Sequence, residues 1–335
     1  MYLNRHLLIA LSLIVFTTAK AQEYIHFSQF TYLPLSVNPA QAGLFEGSYR
    51  VGGLFKSHRQ TGTFKGSQTP VIYADVPIGG LRKQDWIGIG LNLHRDGAGS
   101  ALLNNTLVAI NGAYHMGMDA KQNTVLSFGV QAGYNQRNID KSKLTFQDGI
   151  LKGNSADLAL IDDQNKSYTL INVGINLRTK TSKTSTFNVG LSVDNIVGAK
   201  YNLLTSTVAK LPRRLNFYST LDVALNKRIS LNPAVIFRTT AGTSEIMVHA
   251  VGGIKLDPKK NISIKGGLGY RLGDAAQLLL GMDYGDIRVG ASYDYTLSSG
   301  LRDANAKNGF EIAIGYIGKI FRTKQPPPVI LCPRY

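Results

Sequence analysis

The chain has 335 residues, with 37 lysines and arginines against 21 aspartates and glutamates, a formal charge of +16. Its single cysteine, Cys332, excludes an internal disulfide framework. The basic residues are dispersed over turns and loops with no arginine-rich block, which argues against nucleic acid and for anionic lipid headgroups or an acidic partner.

The first 21 residues predict a secretory signal. Asn4-Arg5-His6 is a polar, cationic start, Leu7 to Phe16 is apolar, and Ala19-Lys20-Ala21 has the small-x-small cleavage pattern, so the mature chain is expected to begin near Gln22. No cysteine follows the apolar stretch, which speaks against an N-terminal lipid anchor. No later run of ~18 apolar residues predicts a membrane-spanning helix. A membrane protein of this composition must therefore be a closed barrel, in which strand pairing satisfies every backbone hydrogen bond. A mean hydropathy of -0.05 fits strands that are half polar.

Residues 22–47 read as an extended segment with Pro34 and Pro39, either periplasmic or plugging a barrel. Beyond it, segments of ~9 to 11 residues alternate with period two. In Trp86 to Arg95, Ile87, Ile89, Leu91 and Leu93 oppose Gly88, Gly90, Asn92 and His94. Leu126, Phe128, Val130, Ala132 and Tyr134 likewise oppose Ser127, Gly129, Gln131, Gly133 and Asn135. The same grammar recurs near 171–178, 187–194 and 287–295.

Strands are predicted near 48–58, 69–78, 85–94, 105–115, 124–134, 167–178, 185–194, 214–223, 229–238, 244–255, 261–271, 275–284, 286–295 and 308–317. About fourteen strands is an even number, as bacterial barrels prefer. The fold class is thus all-β: a transmembrane antiparallel barrel over 48–317, with tyrosines and Trp86 expected in interfacial girdles. Long connections at 135–166, 195–213 and 296–307 alternate with short polar ones. This places the long ones outside the cell and both termini in the periplasm. The tail 318–335, with Pro326-Pro327-Pro328, is expected to be extended.

Sites for chemistry are sparse. Glycine pairs such as Gly88-x-Gly90 lie within strands, without the G-x-G-x-x-G of a dinucleotide fold. Histidines 26, 58, 94, 115 and 249 lack metal-ligand spacing, and Asp162-Asp163-Gln164-Asn165 lacks the EF-hand pattern. No cofactor is expected. Ser192 and nearby acids could be placed together by separate strands, but no G-x-S-x-G elbow occurs, so an outer-membrane hydrolase ranks third as a reading. Lumen-side charges such as Arg178, Asp194, Lys265, Arg271, Asp283, Arg288, Asp294 and Glu311 either line a water-filled channel or pair with one another to close the barrel.

Specific words then add to this pattern. Phe27-Ser28-Gln29-Phe30, followed by Val37-Asn38-Pro39-Ala40-Gln41-Ala42-Gly43 and Tyr49-Arg50, resembles the opening of the PorP/SprF family of type IX secretion outer-membrane proteins. Ala74-Asp75-Val76-Pro77 is similar to that family's D-x-P, and Tyr270-Arg271-Leu272-Gly273-Asp274-Ala275 to its Y-R-x-G-D-A. Tyr293-Asp294-Tyr295-Thr296 is similar to its Y-S-Y-D-x-T region, and Cys332-Pro333-Arg334-Tyr335 to its C-P-R-F ending. Phe310-Glu311-Ile312 departs from the family's H-E-I.

The resemblance implies a barrel that binds or anchors the C-terminal domain of a secreted, adhesin-like cargo and contacts periplasmic ring or motor proteins. No catalysis is implied. The words Phe27–Gln29 and Asn38–Gly43 read either as contact sites or as structural turns. The competing reading of another class is a passive porin or hydrophobic-solute channel.

Overall fold

The computed structural model describes residues 26–60, 66–79, 84–98, 103–138, 165–204, 207–257, 260–298 and 306–320. The signal segment 1–21 and the words Cys332, Pro333 and Arg334 lie outside the described residues.

Among the described residues sixteen strands form: β1 Tyr49–Gln60, β2 Ser67–Gly79, β3 Trp86–Ala98, β4 Leu103–Gly117, β5 Thr124–Asn138, β6 Asn165–Ser182, β7 Ser185–Asp194, β8 Lys200–Leu204, β9 Thr207–Lys210, β10 Arg214–Ala224, β11 Ile229–Thr240, β12 Thr243–Asp257, β13 Ile262–Arg271, β14 Ala275–Tyr284, β15 Ile287–Thr296 and β16 Ala306–Gly318. All but β8 and β9 pair with their neighbours in one closed antiparallel barrel of fourteen strands. Closure is made by β1 against β16, from Tyr49 opposite Gly318 to Gln60 opposite Ala306. Every barrel strand foreseen from the alternation is present. The β8–β9 hairpin inside the 195–213 connection was not foreseen, and it pairs only with itself.

Alternation in sequence becomes alternation in environment. On β3, Ile89 and Leu91 stand 45% and 41% exposed, whereas Asn92 between outward neighbours is 2% exposed. Ile110 and Leu268 are more exposed still. A continuous outward apolar band with a polar interior inverts the arrangement of a water-soluble sandwich and suits hydrocarbon. Strands of 10 to 18 residues are long enough to cross it. No helix among the described residues is long and apolar enough to do so.

Tyr134, Tyr270, Tyr284, Tyr293, Tyr295 and Tyr316 are all exposed outward, as a girdle requires. Trp86 is a correction. It shares the inward parity of Gly88, stacks on the His115 ring at 4.8 Å and donates its indole N–H to the Gly43 carbonyl at 3.0 Å. The alternation of long and short connections is also looser than expected. Ala241-Gly242 and 272–274 are tight turns at the same end as the long connections. Ala241 and Gly242 both have positive φ, +48° and +83°, the primed turn that suits a twisted hairpin.

Candidate functional site

The described residues before β1, from His26 onward, thread the barrel interior. Phe30–Tyr32 and Pro39–Gln41 form 3-10 turns, and Pro34–Val37 forms one α-helical turn. The two prolines start their turns at positions where no N–H is needed. The Asn38 side chain caps the second, accepting the Ala40 N–H at 2.8 Å. Phe27, Ser28, Gln29, Phe30, Leu33, Leu35, Val37, Asn38, Ala40 and Ala42 are all under 9% exposed.

The segment starts towards the end that carries the long connections, where the His26 carbonyl accepts from Lys56 Nζ and its ring lies 3.7 Å from Glu245. It finishes at the short-turn end, where Glu46 meets Lys180 at 2.8 Å. There the Lys180 ammonium holds the Glu46 carboxyl below the usual range. The barrel makes room for this passage with glycines. A Cβ on Gly88 would stand 1.7 Å from the Ala42 carbonyl oxygen, and one on Gly129 would stand 2.2 Å from the Ala40 nitrogen.

Two clusters hold the segment. In the first, Glu311 accepts two successive backbone N–H groups, from Ser28 at 2.9 Å and Gln29 at 2.8 Å. Gln29 also donates its side-chain amide to the Glu311 carbonyl. The Ser28 hydroxyl donates to Asp294 at 2.5 Å and accepts from Gln277 at 2.8 Å. Asp294 is gripped by Arg271 at 2.5 Å, and Arg271 Nε lies 2.9 Å from Asp274. Lys56 lies 3.4 Å from Glu311 and 5.7 Å above the Phe27 ring. Buried carboxylates are tolerable here because cations and N–H donors surround them.

In the second cluster Asp75 accepts the Gly43 N–H at 2.7 Å and receives Arg50 through two nitrogens at 2.9 and 2.6 Å. Arg50 also donates to the Gln41 carbonyl. His115 Nε2 lies 2.7 Å from the Ala42 carbonyl oxygen. Gly43 has φ +72° and packs beside Pro77 and Gly88; any side chain there would meet both a strained backbone and a wall. Between the clusters, Asn38 donates to the carbonyls of Ile175 and Leu191 at 3.0 and 3.1 Å, and Ser192 donates to the Val37 carbonyl.

Thirteen residues singled out in the sequence therefore meet along one surface. Phe27, Ser28, Gln29, Arg271, Asp274 and Asp294 build the first cluster. Asn38, Pro39 and Ala40 lie along the middle, and Gly43, Arg50, Asp75 and Pro77 build the second. Sequence reasoning did not assign Glu311, Gln277, Lys56, His115 or Trp86 to this surface. Their inward parity was readable, but which inward residues face the segment depends on register across strands distant in sequence. The interior charges pair: Lys265 with Asp283 at 2.6 Å and Arg214 with Asp194 at 2.7 Å, beside the pairs above. Among the described residues no group of three His, Cys, Asp or Glu side chains is placed to hold a metal ion.

A closed, even-stranded antiparallel barrel with an outward apolar band and an ion-paired interior is an outer-membrane β-barrel. Within that class the chain belongs to the type IX secretion system membrane proteins PorP/SprF, whose family pattern matches residues 19–316. No curated protein matches it in sequence.

Among solved structures, the CymD monoaromatic hydrocarbon channel superposes with a TM-score of 0.51 at 7% identity, over 86% of this chain and 93% of that one. The Ralstonia pickettii toluene transporter TbuX gives 0.50 at 9% identity, over 85% and 93%. The Pseudomonas putida toluene transporter TodX gives 0.50 at 9%, over 88% and 94%. These likenesses show the shared barrel fold. The family and these neighbours are secretion components and transporters, not enzymes.

Proposed function

We propose that the chain is a closed docking barrel of the type IX secretion machine. It binds or anchors the C-terminal domain of a secreted, adhesin-like cargo at its long-connection end. At its short-turn end, which also carries Gly318–Ile320, it contacts periplasmic ring or motor proteins. Residues 22–47 act in this reading as a plug, with 48–317 as the barrel and 318–335 as a periplasmic tether.

The observation that carries the reading is the use made of the family's own words. Ser28, Gln29, Gly43, Arg50, Asp75, Arg271 and Asp294 hold the N-terminal segment in the lumen. A passive porin gains nothing from a segment fixed across its pore by buried ion pairs, whereas a docking platform gains rigidity and a sealed membrane. The inward placement of Phe27–Ala42 also takes those residues out of reach of periplasmic partners. That contact therefore falls to the short turns and the residues after β16.

The test is affinity purification of the tagged, full-length protein from gently solubilised outer membranes, followed by mass spectrometry of what comes with it. Recovery of a large exported protein together with periplasmic ring or motor components is expected. Recovery of the barrel alone, with steady ion conduction, would make it a porin.

A further inference from the structure

Above the Pro34–Val37 turn, on the side of the long connections, lies a cavity of about 100 Å³, which is room for roughly seven to ten waters. Its floor is apolar, made by Phe27, Leu33 and Val37 of the segment, with Leu211 beside them. Three asparagines of neighbouring strands line its wall: Asn92 on β3, Asn105 on β4 and Asn135 on β5. Each keeps its Oδ1 buried without a hydrogen-bond partner, and Asn92 and Asn135 are themselves 2% and 3% exposed. The Asn92 amide nitrogen already donates to Ser36 Oγ at 3.1 Å, and that of Asn135 to the Tyr168 hydroxyl. What each has left to offer is its oxygen, an acceptor.

The register of the wall spaces these acceptors evenly. Asn92 stands opposite Ala109 of β4, and Asn135 stands opposite Leu107. Measured along β4, the three asparagines therefore occupy the levels of residues 109, 107 and 105. Successive levels are two residues apart, about 7 Å. The N–H groups along one edge of an extended polypeptide repeat at the same interval, because alternate residues point their amides the same way. A hydrocarbon brings no donor to this wall, and a compact polar molecule cannot span three levels, about 14 Å.

We propose that the cavity takes up an extended polypeptide strand and holds it by its backbone. Alternate N–H groups donate to the oxygens of Asn92, Asn135 and Asn105 in turn, and the strand runs along β4. The apolar side chain nearest its inner end rests on Phe27, Leu33 and Leu211, and its outer end leaves through the barrel mouth. The strand needs no charge to be held this way. This rests on the docking reading above and narrows it: an extended stretch of the cargo enters the barrel mouth, and the outer loops are not its sole contact.

The test uses immobilised full-length barrel in detergent and two random pentapeptide libraries, both capped with uncharged groups at each end. One is ordinary, and the other is methylated on every backbone nitrogen, so it keeps the side chains and loses the donors. The ordinary library should be retained at least tenfold over the methylated one. Within a retained peptide, single methylations should abolish retention at one alternate set of residues and leave it nearly unchanged at the other. Asn105→Leu removes an unmet acceptor whose loss leaves the described hydrogen bonds intact, and it should lower retention at least threefold. Equal retention of the two libraries, no retention of either, loss without the alternation, or an Asn105→Leu barrel that retains peptides like the wild type would overturn the proposal. Cargo that co-purifies from cells while the libraries are not retained sinks the cavity proposal alone. Absence of cargo from the purification sinks the docking reading itself.

Discussion

The two ends of the threaded segment are held by different physics. At Ser28–Gln29 the grip is ionic: Glu311, Asp294, Arg271 and Lys56 are all under 9% exposed and compensate one another. At Ala40–Gly43 the grip is steric: backbone lies against the glycine faces of β3 and β5, and a single bidentate pair, Arg50 with Asp75, closes the corner. An ionic clamp survives small shape changes but fails when one charge is removed, because the partner is left buried and unpaired. A steric clamp tolerates loss of a hydrogen bond but not the addition of a methyl group. The two clamps should therefore break under opposite substitutions.

The largest effect is expected from Gly88→Val. Its Cβ would overlap the Ala42 carbonyl oxygen, and that neighbour is backbone, so the segment must leave its track. Limited proteolysis should cut within Phe27–Leu44 in the variant while the wild type stays protected there.

Next is Glu311→Gln, which leaves Lys56 without its carboxylate; breaking such a buried pair costs about 3–5 kcal/mol. The urea midpoint of the detergent-solubilised barrel should fall accordingly, and adding Lys56→Met should recover part of the loss. Asp75→Asn weakens the bidentate contact with Arg50, with an expected cost of about 1.5–3 kcal/mol for hydrogen bonds to a charged group. Arg50 and Lys56 stand six residues apart on β1, about 20 Å. The double variant Asp75→Asn/Glu311→Gln should therefore be additive, and strong coupling would mean that the clamps are one unit.

The smallest effect belongs to Glu46→Gln at the short-turn rim. Glu46 is 69% and Lys180 43% exposed, and pairs of this kind contribute about 0–1 kcal/mol. Because the Glu46 carboxyl is held below its usual range, its contribution is present at neutral pH and is lost as pH falls through the lowered value. Added salt should remove it as well.

The barrel was legible in the sequence because period-two alternation repeats in the barrel strands and does not depend on distant contacts. The strand set from 48–58 to 308–317 could thus be read directly. The charges at Arg271, Asp294 and Glu311 were legible as inward, yet alternation alone left two outcomes, channel lining or pairing. Beyond one another and the neighbouring Asp274, their partners come from β1 and the N-terminal segment, far apart in the chain. Gly88 and Gly129 were readable as small lumen residues, but nothing local says that backbone fills the space they leave. Trp86 was misplaced because its residue type suggested a membrane girdle while its parity pointed inward, and parity decided. The β8–β9 hairpin escaped because Lys200–Leu204 and Thr207–Lys210 are too short for alternation to rise above the surrounding loop.

Held in the lumen by these residues, Phe27–Gly43 is expected to seal the barrel. Planar-bilayer conductance of the purified full-length protein beside its Gly88→Val variant tests this seal. A silent wild type and a conducting variant are the predicted result. A wild type that conducts steadily, or a variant that stays as silent as the wild type once its segment is shown to be displaced, would contradict it.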